Sequence, residues 1–268
     1  AAPARKRLIS DADLAGITIT NPARRLFGSS GPTKLDVAVY YAAVGDFMLP
    51  HIFRRPVSLV RSPSGKMTDL FFQRHPFGGM PPTIASFEVR KAGGEDRRYI
   101  AVEDAKGYLA LAQFGVIEFH TWGCHREDIE HVDRVVFDLD PGEGVSWRDT
   151  VKGAHAVRAH LEALGLVPFL KTSGGKGLHV VVPLKPVATW DRVHAATGEI
   201  AARIAAAHED TFVVNMAREK RRRRIFIDFH RNARTATAVA PYSLRARTNL
   251  PASIPLRWQD VDSIDVPE

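Results

Sequence analysis

Val135-Val-Phe-Asp-Leu-Asp-Pro-Gly142 is a short apolar run with two acids set two residues apart and a turn at its end. β-Branched and aromatic residues bounded by Pro-Gly read as a strand, and strand alternation puts Asp138 and Asp140 on one face of a sheet. Working outward, Ser146 can cap a helix, with Asp149 three residues on and Val151, Ala154, Val157, Leu161 and Leu164 at helical spacing until Gly165. Residues 167–172 form the next strand and Ser173-Gly-Gly-Lys-Gly177 a turn, and the chain returns as a strand over 178–183. A second helix is predicted over 190–207, with Val193, Ile200 and Ile204 on one face, and a last strand over 225–229.

Strand-helix-strand twice over is the split βαβ pattern of ferredoxin-like and RNA-recognition-type domains, an antiparallel sheet with helices on one face. The first half is less regular. Thr33 and Asp36 start a helix over 33–48 whose apolar stripe reads Leu35, Val39, Ala42, Ala43 and Phe47. Short strands are expected at 57–60, 99–102 and 116–120, and His75-Pro-Phe-Gly-Gly-Met-Pro-Pro82 is a long loop.

The acids are costly where they stand. Asp138 lies inside an apolar strand, and Asp228 has the same problem between Ile227 and Phe229. In the split pattern the first and last strands can lie close, so the three acids could meet as an oxygen-rich site for magnesium or manganese. The alternative is that they are buried or salt-bridged structural acids, with Asp140 serving only its Asp-Pro-Gly turn. The glycine turn is not a Walker A loop, because Gly177 follows Lys176 and the turn enters a strand. Its glycines still let backbone N–H groups approach phosphate oxygens, with Ser173, Lys176 and His179 close by.

Charge supports a polyanionic partner. Of 268 residues, 37 are Lys or Arg and 30 Asp or Glu, a net +7. Residues 218–224, Arg-Glu-Lys-Arg-Arg-Arg-Arg, hold +5 and Arg5-Lys-Arg7 hold +3, leaving the remainder near neutral. With 45% hydrophobic residues the chain has a globular composition. It has no apolar stretch of the roughly 20 residues that span a bilayer, and its AAPARK start shows no secretory signal. Cys124 is the single cysteine, which fits a reducing compartment; its spacing to His120, His125 and His131 is poor for zinc.

Taken together these motifs resemble the polymerase domain of bacterial DNA ligase D, within the archaeo-eukaryotic primase superfamily. The resemblance runs over residues 16–262. It rests on the 135–142 strand, Thr172-Ser-Gly-Gly-Lys-Gly-Leu-His179 and Ile225-Phe-Ile-Asp228. Ile17-Thr-Ile-Thr-Asn-Pro22, Phe71-Phe-Gln-Arg-His75, Ile117-Glu-Phe-His-Thr-Trp122 and Ala240-Pro-Tyr-Ser-Leu-Arg-Ala-Arg247 support it.

The resemblance implies an α/β (α+β) primase-type fold, with a split βαβ, RRM-like catalytic half (131–262) packed on an N-terminal α/β half (16–130). Residues 1–15 would be a flexible segment and 263–268 a tail. The implied reaction is template-directed nucleotide addition at DNA gaps and ends in bacterial non-homologous end joining, often preferring ribonucleotides. NTP or dNTP would be the substrate and two manganese or magnesium ions the cofactors. Asp138, Asp140 and Asp228 would be the catalytic, metal-binding acids, and Arg221 the mobile-loop arginine of the pre-catalytic complex. His120, Ser173, Lys176, His179 and Arg245 would hold the nucleotide. Phe71 and Phe72 would pack on template bases, although strand alternation would turn one ring inward. Arg24 and Lys34 would take the 5′-phosphate of a gapped or 3′-overhanging duplex. Ku and a ligase, free or fused in the parent protein, are the implied partners, with no membrane, in the bacterial cytoplasm at the nucleoid.

Three other functions compete: a non-catalytic module bridging DNA ends for a ligase, a de novo primase, and a metal-dependent nuclease. The first leaves the three acids unexplained, and the last leaves Ser173, Lys176 and His179 unexplained.

Overall fold

In the computed structural model, residues 14–90 and 96–264 are described; Arg5, Lys6 and Arg7 and the terminal segments 1–13 and 265–268 lie outside them. Helix α1 (Lys34–Ile52) starts where the sequence places it. Thr33 Oγ1 accepts from the Asp36 N–H at 3.1 Å while the Asp36 carboxylate accepts from the Thr33 N–H at 2.8 Å. Its buried face is Val37, Ala38, Tyr41, Gly45, Met48 and Ile52, which corrects the expected stripe. Phe47 is 64% exposed. The helix is apolar nearly all round, so periodicity cannot choose a face. Tertiary contacts choose it: the Tyr41 hydroxyl donates to the Ile117 carbonyl and accepts from Leu244 N–H. At Gly45 a Cβ would collide with the Tyr108 hydroxyl, so only glycine admits that ring.

The first sheet follows: β1 (Val57–Arg61), β2 (Phe71–Gln73), β3 (Ala85–Arg90) and β4 (Asp96–Ala101), then helix α2 (Ala105–Gln113) and β5 (Val116–Thr121). The sequence reading assigns no helix to 105–113; its signal is the Asp104 carboxylate, which accepts from the Gly107 N–H at 2.8 Å.

The second half matches the βαββαβ order. It comprises β6 (Arg134–Pro141), α3 (Trp147–Ala163), β7 (Phe169–Thr172), β8 (Leu178–Pro183), α4 (Trp190–Ala207), β9 (Phe212–Val213) and β10 (Ile225–Asp228). The chain then lays β11 (Ala238–Val239) on the first sheet and β12 (Pro255–Leu256) on the second. The strand orders are β11-β5-β1-β4-β3, with β2 also on β1, and β12-β7-β8-β6-β10-β9. Within the second, β7-β8-β6-β10 is the arrangement expected of a split βαβ pair, all antiparallel. The fold is the mixed α/β architecture the motifs imply.

Each sheet has its own core. Alternate residues Val135, Phe137 and Leu139 of β6, Val180 of β8 and Ile227 of β10 pack with Val151, Val157 and Leu161 of α3 and Ile204 of α4. Leu164, expected on that stripe, caps the helix and is 57% exposed. The opposite face of the second sheet carries neither α3 nor α4. It looks across a cleft at β5 and β11 of the first sheet. Among the described residues no helix is long and apolar enough to cross a membrane.

Candidate active site in the cleft between the sheets

Because Phe137 and Leu139 point at the helices, Asp138 and Asp140 point into the cleft. Register then adds neighbours that spacing alone cannot. Asp228 of β10 pairs with Asp138 of β6, Asp138 with His179 of β8, and His179 with Lys171 of β7, giving one row across four strands. Two carboxylates in direct register repel each other, and Arg231 answers them. The short turn after β10 carries its Nε to 3.1 Å from Asp228 Oδ2 and 3.4 Å from Asp138 Oδ2. His179 Nε2 lies 3.3 Å from Asp138 Oδ1.

The two acids are driven apart in acidity. Burial alone would raise the Asp138 carboxyl, but His179 and Arg231 outweigh it and hold the group well below the usual carboxylate range. Burial, aided by the charge of Asp138, raises Asp228 despite Arg231. His179 is lowered to about 4 by burial and the neighbouring Lys171, against the pull of Asp138. Lys171, which spacing did not reveal, is buried and donates to Ser253 Oγ at 2.7 Å.

Asp140, one pleat along, accepts from Arg221 Nη1 at 3.1 Å. Of the basic run, Arg221 is folded back here, while Arg218, Lys220, Arg222 and Arg223 stand exposed. Arg221 stacks 3.9 Å above the Phe226 ring and donates to the Met216 carbonyl at 2.6 Å. A Cβ at Gly142 would lie 1.9 Å from the Arg221 carbonyl oxygen, so glycine is required for that approach.

The facing wall is built on Glu118, 5% exposed. It accepts from His120 Nε2 at 2.7 Å, Arg245 Nε at 2.9 Å and the Ala246 N–H at 2.7 Å. Burial alone would raise the Glu118 carboxyl; the His120 hydrogen bond and the Arg245 charge reverse this and hold it low. Arg245 Nη1 in turn donates to the Ser173 carbonyl at 2.6 Å. The Arg245 stem fills the space a Cβ would take at Gly174, whose φ is +66°, so the turn and the wall interlock.

Together these groups line a cavity of about 230 Å³ that brings together His120, Asp138, Asp140, Ser173, Lys176, His179 and Arg245. Asp228 and Arg221 are attached to it through Arg231 and Asp140 rather than lining it. Arg231 and Arg247 also line it and escaped the sequence reading. A signal existed for Arg231, three residues after Asp228, and for Glu118, two before His120 on one strand face. Among the described residues no three carboxylate, imidazole or thiol groups converge on one point as a preformed metal site. The donor set nevertheless suits a hard divalent cation. It is all carboxylate oxygen, with two like charges opposed across one register position and bridged by Arg231.

Arg24 and Lys34 stand elsewhere, on a second cavity of about 240 Å³ with Thr20, Arg61, Ser62 and Gln113. Lys34 Nζ donates to Thr20 O at 3.0 Å and Gln113 Oε1 at 2.7 Å. Burial, and then the charge of Arg24, lowers its pKa to about 8. Strand β2 joins the two cavities. Arg61 of the cationic cavity lies 5.4 Å from the Phe71 ring, and the Phe72 ring meets His120 of the cleft edge-on at 5.6 Å. Phe71 and Phe72 are 41% and 42% exposed, which corrects the expectation that one ring turns inward. A three-residue strand paired with β1 alone has no layer over either face at this point.

Comparison with known proteins gives a consistent result. The family model described as "LigD, primase-polymerase domain" matches residues 33–268. The multifunctional non-homologous end joining protein LigD of Pseudomonas aeruginosa is 36% identical over 255 residues, 95% of this chain and 30% of that protein. Its Mycobacterium tuberculosis counterpart is 34% identical over 254 residues, 92% of this chain and 33% of that protein. The chain thus spans about a third of the length of these relatives. Among solved structures, the polymerase domain of Mycobacterium tuberculosis ligase D in complex with DNA superposes with a TM-score of 0.86 at 33% identity. That match covers 92% of this chain and 88% of that one.

Proposed function

The chain belongs to the LigD primase-polymerase domain family, and from that premise we propose that it performs template-directed nucleotide addition at gapped or 3′-overhanging DNA ends. The setting is bacterial non-homologous end joining, with Ku and a ligase as partners. The observation that carries this reading is the cleft itself, where a row of carboxylates on one sheet faces a cationic, imidazole-bearing wall on the other. An aromatic bridge then leads to a second cationic cavity. A pure end-bridging module gains nothing from carboxylates turned toward phosphates.

In this reading Asp138, Asp140 and Asp228 would hold two divalent ions, manganese or magnesium. Such ions supply activation of the primer 3′-hydroxyl and neutralisation of the leaving pyrophosphate. The chain's own residues do the rest. Ser173, Lys176 and Arg245 bind the triphosphate of an NTP or dNTP, ribonucleotides preferred. His120 and His179, both pushed toward neutrality by burial, turn their Nε2–H toward Glu118 and Asp138, which leaves Nδ1 of each ring to accept a hydrogen bond from the nucleotide without adding charge. Arg221 reports the state of the site by holding or releasing Asp140. Primer extension on a gapped duplex, comparing ribo- and deoxyribonucleotides with either metal, tests the reading. DNA binding with no incorporation under any of these conditions would refute it.

Phe71 and Phe72 would stack on unpaired template bases. Phe72→Ala is expected to weaken binding of a 3′-overhanging duplex about tenfold, in line with the ~1–3 kcal/mol of one base–aromatic stack, and to leave blunt duplex unaffected. Fluorescence anisotropy with the two DNAs checks it.

Arg24 and Lys34 would take the 5′-phosphate, and here pH supplies a test. A phosphate monoester gains its second charge above about pH 6. Lys34 is fully charged below its pKa of about 8 and loses its proton as pH rises through it. The preference for 5′-phosphorylated over unphosphorylated ends is therefore expected to peak between these values and fall at higher pH. In Arg24→Ala/Lys34→Ala the preference should vanish at every pH. Equal losses on both DNAs would reduce the pair to general charge.

A further inference from the structure

Behind the carboxylate row lies a third cavity of about 330 Å³, a volume typical of small-ligand sites. Its floor is the next cross-strand row of the second sheet, Val136–Val181–Phe169, and Phe169 stands 57% exposed on its rim. Three cations line it: Arg134, Lys171 and Arg231.

Their pairing is uneven. Arg231 is held by Asp138 and Asp228, as Arg55 nearby is held by Asp133 at 2.6 Å. Arg134 and Lys171 make no ion pair with a carboxylate among the described residues; they donate only to hydroxyls and carbonyls, Thr121 Oγ1 at 2.6 Å for Arg134 and Ser253 Oγ at 2.7 Å for Lys171. The carboxylates whose charge reaches them, Asp133 for Arg134 and Asp138 for Lys171, are already engaged by Arg55 and by His179 and Arg231, and burial lowers Arg134 to about 9 and Lys171 well below the usual lysine range. An anion reaching them in an apolar surround would stabilise their charged forms. His51, on the same cavity, records that field: burial and then Arg134, Arg55 and Lys171 lower its imidazole to about 4.

The geometry points to a binding site for a small, flat apolar molecule carrying one carboxylate or sulfonate group, its body on Val136, Val181 and Phe169 and its anionic end on Arg134 and Lys171. A triphosphate brings more negative charge than two unpaired cations balance, so the site is distinct from the nucleotide cavity. The two cavities share Arg231. An anion behind the row draws that guanidinium away from Asp138 and Asp228, so occupancy changes the rate of nucleotide addition; this last step rests on the function proposed above, whereas the binding does not.

Anilinonaphthalene sulfonate, an anionic aromatic dye that brightens in apolar sites, is the probe, with phenylnaphthylamine as its uncharged counterpart. One saturable site per chain is expected, with backbone amide shifts confined to the lining residues. Val181→Trp, which fills the cavity from its half-exposed floor, should weaken binding at least about tenfold, with folding checked by circular dichroism. Arg134→Met should do the same, since a hydrogen bond to a charged group is worth that factor or more. The uncharged dye should bind at least about tenfold more weakly to the unmodified protein. Undiminished affinity in Val181→Trp, or equal affinity for both dyes, overturns the site. Should the dye bind as described yet leave primer extension unchanged, the link through Arg231 fails while the site stands.

Discussion

Asp228→Ala is expected to lower nucleotide addition on a gapped, 5′-phosphorylated duplex by on the order of a thousandfold, while DNA binding and folding are retained. The carboxylate row has no other evident purpose, and metal ions of this kind supply several kcal/mol of transition-state stabilisation. At ~1.4 kcal/mol per factor of ten, losing a ligand costs about three decades. Folding is expected to survive for an electrostatic reason. Burial and Asp138 already disfavour the charged form of Asp228 in the native state, so removing it relieves repulsion. Asp138→Ala should abolish addition equally, but it strips Arg231 and His179 of a shared partner and should also lower the unfolding midpoint. Single-turnover extension beside urea denaturation separates the two effects. Extension by Asp228→Ala at the unmodified rate would sink the assignment of the acids.

Glu118→Ala is expected to be the most destabilising single change in the cleft, by about 3–5 kcal/mol, because it leaves the Arg245 charge without its buried counter-ion. Glu118→Gln keeps the shape and is the sharper functional test. It removes the charge that aligns His120 and Arg245, so KM for the nucleotide should rise about ten- to hundredfold while kcat falls less. The pH dependence has a definite sign. The folded Glu118 pKa is depressed, so its stabilising contribution is complete above the unfolded value of about 4.3 and is lost as pH falls through the folded value. Urea midpoints measured from neutral to acid pH should show this component in the unmodified protein and lack it in Glu118→Gln. Unchanged KM and an unchanged acid limb in that variant would reduce Glu118 to packing.

Much of the second half was readable residue by residue. Ser146 and Asp149 mark a helix start through local hydrogen bonds, and alternation over 135–140 places two acids on one face, both properties of the backbone nearby. The first half was less legible because α1 is apolar around its circumference, so its buried face depends on Tyr41 and Gly45 meeting partners distant in sequence. Phe71 and Phe72 were misjudged for a related reason. Alternation predicts which way a ring points, but not whether another layer stands there to bury it.

Determined by the sequence alone were the βαββαβ order, the shared face of Asp138 and Asp140, the glycine turn at 173–177 and the family to which these motifs point. Only the tertiary structure decided that Asp228 stands opposite Asp138, that Lys171 closes the row beyond His179, that Arg231 lies between the acids, and that Glu118 arranges the facing wall. The physical reason is the range of the forces. Alternation and capping are set by neighbours along the chain, whereas register depends on which strand lies alongside, and a slip of one residue would turn Asp228 from the cleft into the helical core.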